Sequence, residues 1–248
     1  MVLQISVAVA MSGQSWWVVL PVAYFVGAFV QHHLNIVIHE AGHDFVFPRT
    51  AQNKAFALFA NLTAGLPSAI AFRYYHSLHH RYLGQRPQDA DVPPAWEARL
   101  IGRGWVGKLL WLLLQPLTYG VIHPLQVSPR IRIDAWLLAN VAASLTAAAA
   151  IYWFLGPASL AYILLSTYFA VGPHPTGAHI LQEHIIFSGR YETASYYGPI
   201  NRLSINAGYH LEHHDFPGIP GPRLPTFRRI ADRHYAGLYH HRSRIKTM

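Results

Sequence analysis

The sequence predicts an all-α integral membrane protein. It is expected to have four transmembrane helices in two hairpins, the first helix short of spanning length, with interfacial helices and a cytoplasmic histidine-rich cap. Three observations carry this. Charged residues make up 12% of the chain against 52% hydrophobic, about half the charge typical of soluble domains. The 19 Lys and Arg fall in two blocks, Arg49 to Arg132 and Arg190 to Lys246, with none in residues 1–48 or 133–189. Those two basic-free stretches are the most apolar parts of the chain, so the positive-inside rule puts both basic blocks on the cytoplasmic face.

The elements follow in order. Residues 1–12 are apolar but too short for a core that needs about twenty residues. They are expected to be the remainder of a full span, with the natural start upstream of Met1. After a polar turn at Ser12–Ser15, Trp16–Ile38 has spanning length, with Trp16 and Trp17 as an interfacial anchor. His39 and His43 follow where that helix leaves the bilayer. Lys54–Phe72 is apolar but holds Asn61, Gly65 and Pro67 between basic flanks, so one helix along the interface is expected. Gly84–Pro94, rich in Gly, Pro and Asp, reads as an irregular, solvated loop. Trp105–Val127 is Leu-rich, interrupted by Pro116, His123 and Pro124, and also has basic flanks; it reads as interfacial. Ala135–Leu155 and Ser159–Gly172 form the second hairpin, turned at Gly156-Pro157. Leu224–Tyr239 is expected to be an amphipathic helix. The whole, 1–248, is a single domain. Asn61-Leu62-Thr63 is a glycosylation sequon, unused on a cytoplasmic face.

The lack of cysteine excludes disulfides, iron–sulfur clusters and thiolate-bound zinc. The net charge of +8 does not mark a nucleic-acid binder, because the basic residues are dispersed among histidines instead of forming one footprint.

The chemistry lies in the 17 histidines. His210, His213 and His214 form H-x-x-H-H; His76, His79 and His80 repeat it; His39 and His43 form H-x-x-x-H. On a helix these spacings put the rings on one face, and three such clusters on one side of the membrane predict a metal site assembled by folding. His184, emerging after the last span, is a ninth candidate. Glu183, Glu212 and His179 are expected around the ligands, the two Glu orienting ring N–H groups. His32 and His33, inside a span, read as structural; His123, His174, His234, His240 and His241 read as solvated or capping. No catalytic side chain is expected beyond the ligands. Eight or nine imidazoles suit two metals better than one, and imidazole accepts iron, zinc or copper. A competing reading takes His39-Glu40-Ala41-Gly42-His43 as the H-E-x-x-H of a zinc protease, which would leave at least six clustered histidines unexplained.

These boxes resemble the membrane fatty-acyl desaturase/hydroxylase superfamily. More specific strings are similar to the sphingolipid Δ4-desaturase (dihydroceramide desaturase) group: His79-His80-Arg81-Tyr82-Leu83-Gly84, His174-Pro175 through Glu183-His184, Glu192-Thr193-Ala194-Ser195-Tyr196-Tyr197-Gly198-Pro199, and Gly208-Tyr209-His210 through Pro217. The resemblance covers nearly the whole chain. Leu211 and Asp44 depart from it, each standing where Asn is expected. It implies a non-haem di-iron centre using O2 and two external electrons to remove two hydrogens from a lipid chain, leaving a double bond and two waters. The implied substrate is dihydroceramide, desaturated at Δ4 of the sphingoid base. C4-hydroxylation of that lipid and fatty-acyl desaturation are the near alternatives, and a lipid-binding protein without catalysis is the distant one. No His-Pro-Gly-Gly string of a fused cytochrome occurs, so a separate donor such as cytochrome b5 or ferredoxin is expected at the cytoplasmic basic face. The membrane would be the endoplasmic reticulum in a eukaryote or the inner membrane in a bacterium.

Overall fold

The structure, a computed structural model, describes residues 1–101, 104–178, 183–184, 193–202 and 204–242. Among them the chain is mostly helical, with almost no strand. The nine-residue α1 (Val2–Ala10) leads through a turn into α2 (Trp16–Gly42), which runs on to the first histidines. Then come α3 (Thr50–Asn61), α4 (Ala69–Arg81), α5 (Ala95–Ile101), α6 (Trp105–Gln126), α7 (Ala135–Leu155) and α8 (Pro157–Val171). The C-terminal part holds the short helices α9 (His210–Asp215), α10 (Leu224–Ile230) and α11 (Asp232–Tyr235). It also holds a parallel pair, β1 (Ser195–Tyr196) with β2 (His240–His241).

Among the described residues three helices are long and apolar enough to cross a membrane: α2, α6 and α7. The 15-residue α8 is shorter than that measure. Two of the three match the expected spans. The third, α6, has nearly the bounds expected of the interfacial helix, and by length and composition alone it is also able to cross; its prolines do not end it. Pro116 lacks the N–H an α-turn needs, and the chain absorbs this in a π-turn at Thr118–Ile122. In α2, Pro21 is followed by a π-turn at Ala23–Gly27 in the same way, the usual accommodation of a break in the i→i−4 ladder.

The expected single helix over Lys54–Phe72 is instead two, α3 and the first turn of α4. Gly65 between them takes φ 73°, a left-handed conformation open to glycine. Asn61 holds the break together. Its Oδ1 accepts from the backbone N–H groups of Ser68 (3.0 Å) and Ala69 (3.2 Å) and from Asn140 Nδ2 of α7 (2.8 Å). The sequon asparagine is thus fully buried and serves as a cross-link. The expected helix over Leu224–Tyr239 is also divided, into α10 and α11 at Ala231.

Helices α1, α2 and α8 share a core of Ala8, Met11, Val19, Ala23, Tyr162 and Ile163. Polar contacts lock α1 onto α8: Tyr162 OH donates to Gln4 Oε1 (3.0 Å) and Ser159 Oγ to the Ala8 carbonyl (2.6 Å). The α2–α8 crossing is set by Gly27, where an added Cβ would lie 1.9 Å from Ser166 Oγ and 2.9 Å from the Tyr162 ring. Gly27→Val is expected to destabilise by about 1–3 kcal/mol through overpacking. Its melting temperature in detergent should fall, and Ser166→Gly should restore part of the loss.

Candidate metal centre

All nine predicted ligand histidines converge, and they divide into two groups. His39, His43, His76, His80 and His213 form one; His79, His184, His210 and His214 form the other. Within each group, one donor atom per residue lies within 4.8 Å of the others. The division follows from local helix geometry. On α4, His76 and His80 are four apart and face the end of α2, while His79 is turned toward His184. On α9, His213 meets the first group and His210 and His214 the second.

The Nε2 atoms approach one another closely. His76 Nε2 is 2.9 Å from His43 Nε2 and 3.0 Å from His80 Nε2, which is 3.0 Å from His213 Nε2. In the second group His79 and His214 approach to 3.2 Å, and His184 and His210 to 2.9 Å. Two metal ligands at right angles, each with a bond of about 2.1 Å, would be about 3.0 Å apart. The donor set therefore fits a cation in each group. Burial favours the neutral form of seven of these rings and leaves their lone pairs available. It lowers the His43 imidazole to about 2, helped by His39 and His80, and the His80 imidazole to about 3, helped by His79 and His39. The His76, His184, His210, His213 and His214 imidazoles are also lowered, first by burial and then by neighbouring imidazoles.

His79 differs. Burial disfavours its cation, but Asp91 and Asp89 outweigh that and raise it. Asp89 Oδ1 is 2.9 Å from His79 Nδ1 and Asp91 Oδ2 is 3.4 Å away. A carboxylate on Nδ1 fixes the proton there and turns the Nε2 lone pair inward, as carboxylate–histidine pairs do at metal sites. Neither aspartate is singled out by sequence pattern. Their loop was expected to be solvated, yet Asp89 is 2% exposed and accepts from the N–H groups of Gly84 and Asp91 (2.8 Å each). Further back, His123 Nδ1 donates to the Ala90 carbonyl (3.0 Å) and its Nε2 lies 2.6 Å from Glu97 Oε2. His123 is buried, not solvated, and braces the loop from behind; His174 and His241 are buried as well.

Of the expected supporting residues, Glu183 lies near the ligands, with Oε1 3.6 Å from His210 Nδ1. Glu212 does not face them. Its fully buried carboxylate accepts from Ser195 Oγ (2.6 Å) and Tyr197 OH and pairs with Arg228 Nε (3.2 Å). Adjacent positions on a short helix point to different sides, so Glu212 faces β1 while His213 faces the ligands. His179 lies outside the described residues.

The specific strings have physical reasons. An added Cβ at Gly198 would strike the Tyr196 ring, and one at Gly208 would lie 2.6 Å from the Tyr196 carbonyl. Asn201 ties these turns, accepting from Gly208 N–H (2.8 Å) and donating to the Tyr196 carbonyl (3.0 Å). Asp44, at φ 62°, forms a two-point pair with Arg73 (2.9 and 2.7 Å), which also donates to the Ala41 and Gly42 carbonyls. The pair closes the end of α2 and fixes it against α4. Leu211 is buried, and its N–H donates to Ser195 Oγ (3.0 Å); the departure there touches packing and leaves the nine histidines in place. Glu40 accepts from Gly221 N–H (3.1 Å), so it stitches α2 to the C-terminal segment. With His39 and His43 sharing a five-histidine group and Glu40 so engaged, the zinc-protease arrangement of three ligands and a free general base does not match.

A family model described as fatty acid desaturase matches residues 15–245. The sphingolipid delta(4)-desaturase DES1 of Drosophila melanogaster is 40% identical over 238 residues, covering 94% of this chain and 73% of that protein. The Homo sapiens DES1 is 41% identical over 239 residues, covering 94% and 71%. The Bos taurus sphingolipid delta(4)-desaturase/C4-monooxygenase DES2 is 42% identical over 238 residues, covering 95% and 73%.

Proposed function

From the premise that the chain belongs to the fatty acid desaturase family, we propose that it desaturates the sphingoid base of dihydroceramide at Δ4. It is an oxidoreductase, and the observation that carries the chemistry is the division of nine histidines, three buried and six half-buried, into two groups. His39, His43, His76, His80 and His213 would hold one iron, and His79, His184, His210 and His214 the other. Bound iron, with O2, two electrons and two protons, supplies the oxidising power to take two hydrogens from adjacent methylenes and leave a double bond and two waters, chemistry beyond any side chain. The chain's own residues position. Asp89, Asp91 and Glu183 orient rings, and Arg73–Asp44 sets the distance between α2 and α4. A cavity of about 320 Å³ lined by His43, His76 and His80 gives the substrate a place beside the first group.

The chain acts as a single membrane domain over 1–248. The reading of four crossings in two hairpins rests on the basic-free stretches and on the turn at Gly156, which takes φ 87° between α7 and α8. Both basic blocks then share the cytoplasmic face with the histidine cap. That face would receive a separate electron donor such as cytochrome b5 or ferredoxin, in the endoplasmic reticulum or a bacterial inner membrane.

Expression in a host supplied with dihydroceramide and ordinary fatty acids, followed by lipid mass spectrometry, tests the substrate. The expected product is a sphingoid base lacking two hydrogens, with a trans bond at C4. The DES2 relative's name adds C4-monooxygenase, which favours a second reading in which some product gains one oxygen at C4. Desaturated fatty acids with unchanged dihydroceramide would overturn the substrate assignment. Asp89→Ala is expected to weaken iron binding about 10–100-fold, the usual cost of losing a carboxylate behind a ligating histidine. Iron retained after dialysis against graded chelator measures it.

A further inference from the structure

Beside the histidine centre lies a cavity of about 550 Å³, formed by α3, α4 and the segment joining α6 to α7. It shares Gly42, Arg73 and Ser77 with the 320 Å³ cavity that reaches His43, His76 and His80. The two adjoin at these residues, and a path through both would end at the first histidine group.

The charges along this path are unbalanced. Lys54, Arg130 and Arg132 line it, against the single carboxylate of Asp134. Asp134 caps α7, accepting from Leu137 N–H at 2.8 Å. Arg73 is already paired with Asp44. Among the described residues no ion pair engages Lys54, Arg130 or Arg132; the Lys54 ammonium lies 5.6 Å from the Trp136 ring centroid. Ile70, Pro129 and Ile131 add apolar lining. Tyr74 offers its ring, its OH being donated to the Pro129 carbonyl (3.0 Å). Such a path suits an amphipathic occupant with a negative head.

Reaction at Δ4 adds a constraint of reach. Only three bonds separate C4 of a sphingoid base from C1, which carries the head group, so the head must bind close to the histidines and not at a distant surface. We propose that this path is the head-group subsite and that it takes a sphingolipid with a phosphate or phosphodiester on the C1 oxygen, paired with Arg130 and Arg132. The proposal rests on the sphingolipid reading above and extends it to an anionic class of substrate.

The test compares binding of short-chain dihydroceramide 1-phosphate and of neutral short-chain dihydroceramide to the full chain in zwitterionic nanodiscs. The phosphorylated lipid is expected to bind about tenfold or more tighter, the scale of one charge-assisted hydrogen bond, and the advantage should shrink with salt. In Arg130→Gln/Arg132→Gln the preference should fall to about twofold or less. Lys54→Gln is the second variant, and melting temperature and iron content verify the fold of both. Equal affinities in the parent protein would overturn the proposal. So would a preference that survives the double variant, including one in which only reduction by an acidic electron donor has slowed. Loss of the preference when phosphatidylglycerol is added to the nanodisc in equal amount would also overturn it, marking a site for bulk anionic lipid. Desaturation of neutral dihydroceramide by the parent protein reports separately on the proposed function, so the two failures are distinguishable.

Discussion

His213→Ala is expected to abolish lipid desaturation, lowering product by more than about 10³-fold, as loss of a group acting directly at the reacting centre does. The magnitude follows from its place. His213 is 4% exposed, its Nε2 is 3.0 Å from that of His80, and its ring centroid is 4.7 Å from those of both His39 and His43. Removing it opens the first group on the side facing α9 and leaves the second group untouched. Iron per chain should therefore fall from about two toward one, since each group is expected to hold one cation. His214→Ala should produce the complementary loss from the second group. The exposed His234, in neither group, supplies the control, and His234→Ala should keep both iron content and product. Full activity and two irons in His213→Ala would remove it from the ligand set and with it the division into five and four.

The parts of the centre legible in the sequence are those encoded by local spacing. His76, His79 and His80, and His210, His213 and His214, declare a shared helical face because i, i+3 and i+4 are fixed by the helix itself. His184 was reachable from its position after an apolar stretch. Asp89 and Asp91 were not. They sit in an irregular loop, where residue spacing has no fixed relation to direction, and they reach His79 only because His123 and Glu97 brace that loop from another part of the chain. Glu212 shows the opposite failure: the residue was noticed but assigned to the wrong neighbours. Its partners, Ser195, Tyr197 and Arg228, come from either side of α9 in sequence and meet only when the C-terminal part folds. In the membrane-facing half, apolar length located α2 and α7. The extent of α6 was legible as well, but not the π-turn that carries the helix past Pro116, because a proline alone does not show how its missing N–H is absorbed.

Arg228→Met is expected to cost about 3–5 kcal/mol, the penalty for stranding a buried charge whose partner is removed. Arg228 joins three elements. Its Nε contacts Tyr197 OH (3.0 Å) and Glu212 (3.2 Å), and its Nη1 pairs with Asp232 (2.6 Å). Burial and then the Glu212 charge push the Tyr197 phenol well above its usual range, so at neutral pH it stays protonated and donates to Glu212. Without Arg228 that phenol and Ser195 Oγ would be left to stabilise a carboxylate cut off from water. The strain falls on α9, which carries His210, His213 and His214, so both histidine groups should loosen together. Melting temperature and iron content should then fall in parallel, unlike in His213→Ala, where one group alone is opened. The double variant Arg228→Met/Glu212→Gln separates charge from packing. Removing the carboxylate's charge should recover part of the lost stability, because a neutral amide costs far less to bury than an unpaired anion. A single Arg228→Met protein that melts within about 1 °C of the parent, a shift equivalent to only a few tenths of a kcal/mol, would show that Ser195 and Tyr197 suffice. Glu212 would then be an ordinary hydrogen-bond acceptor and not the charge on which α9 is anchored.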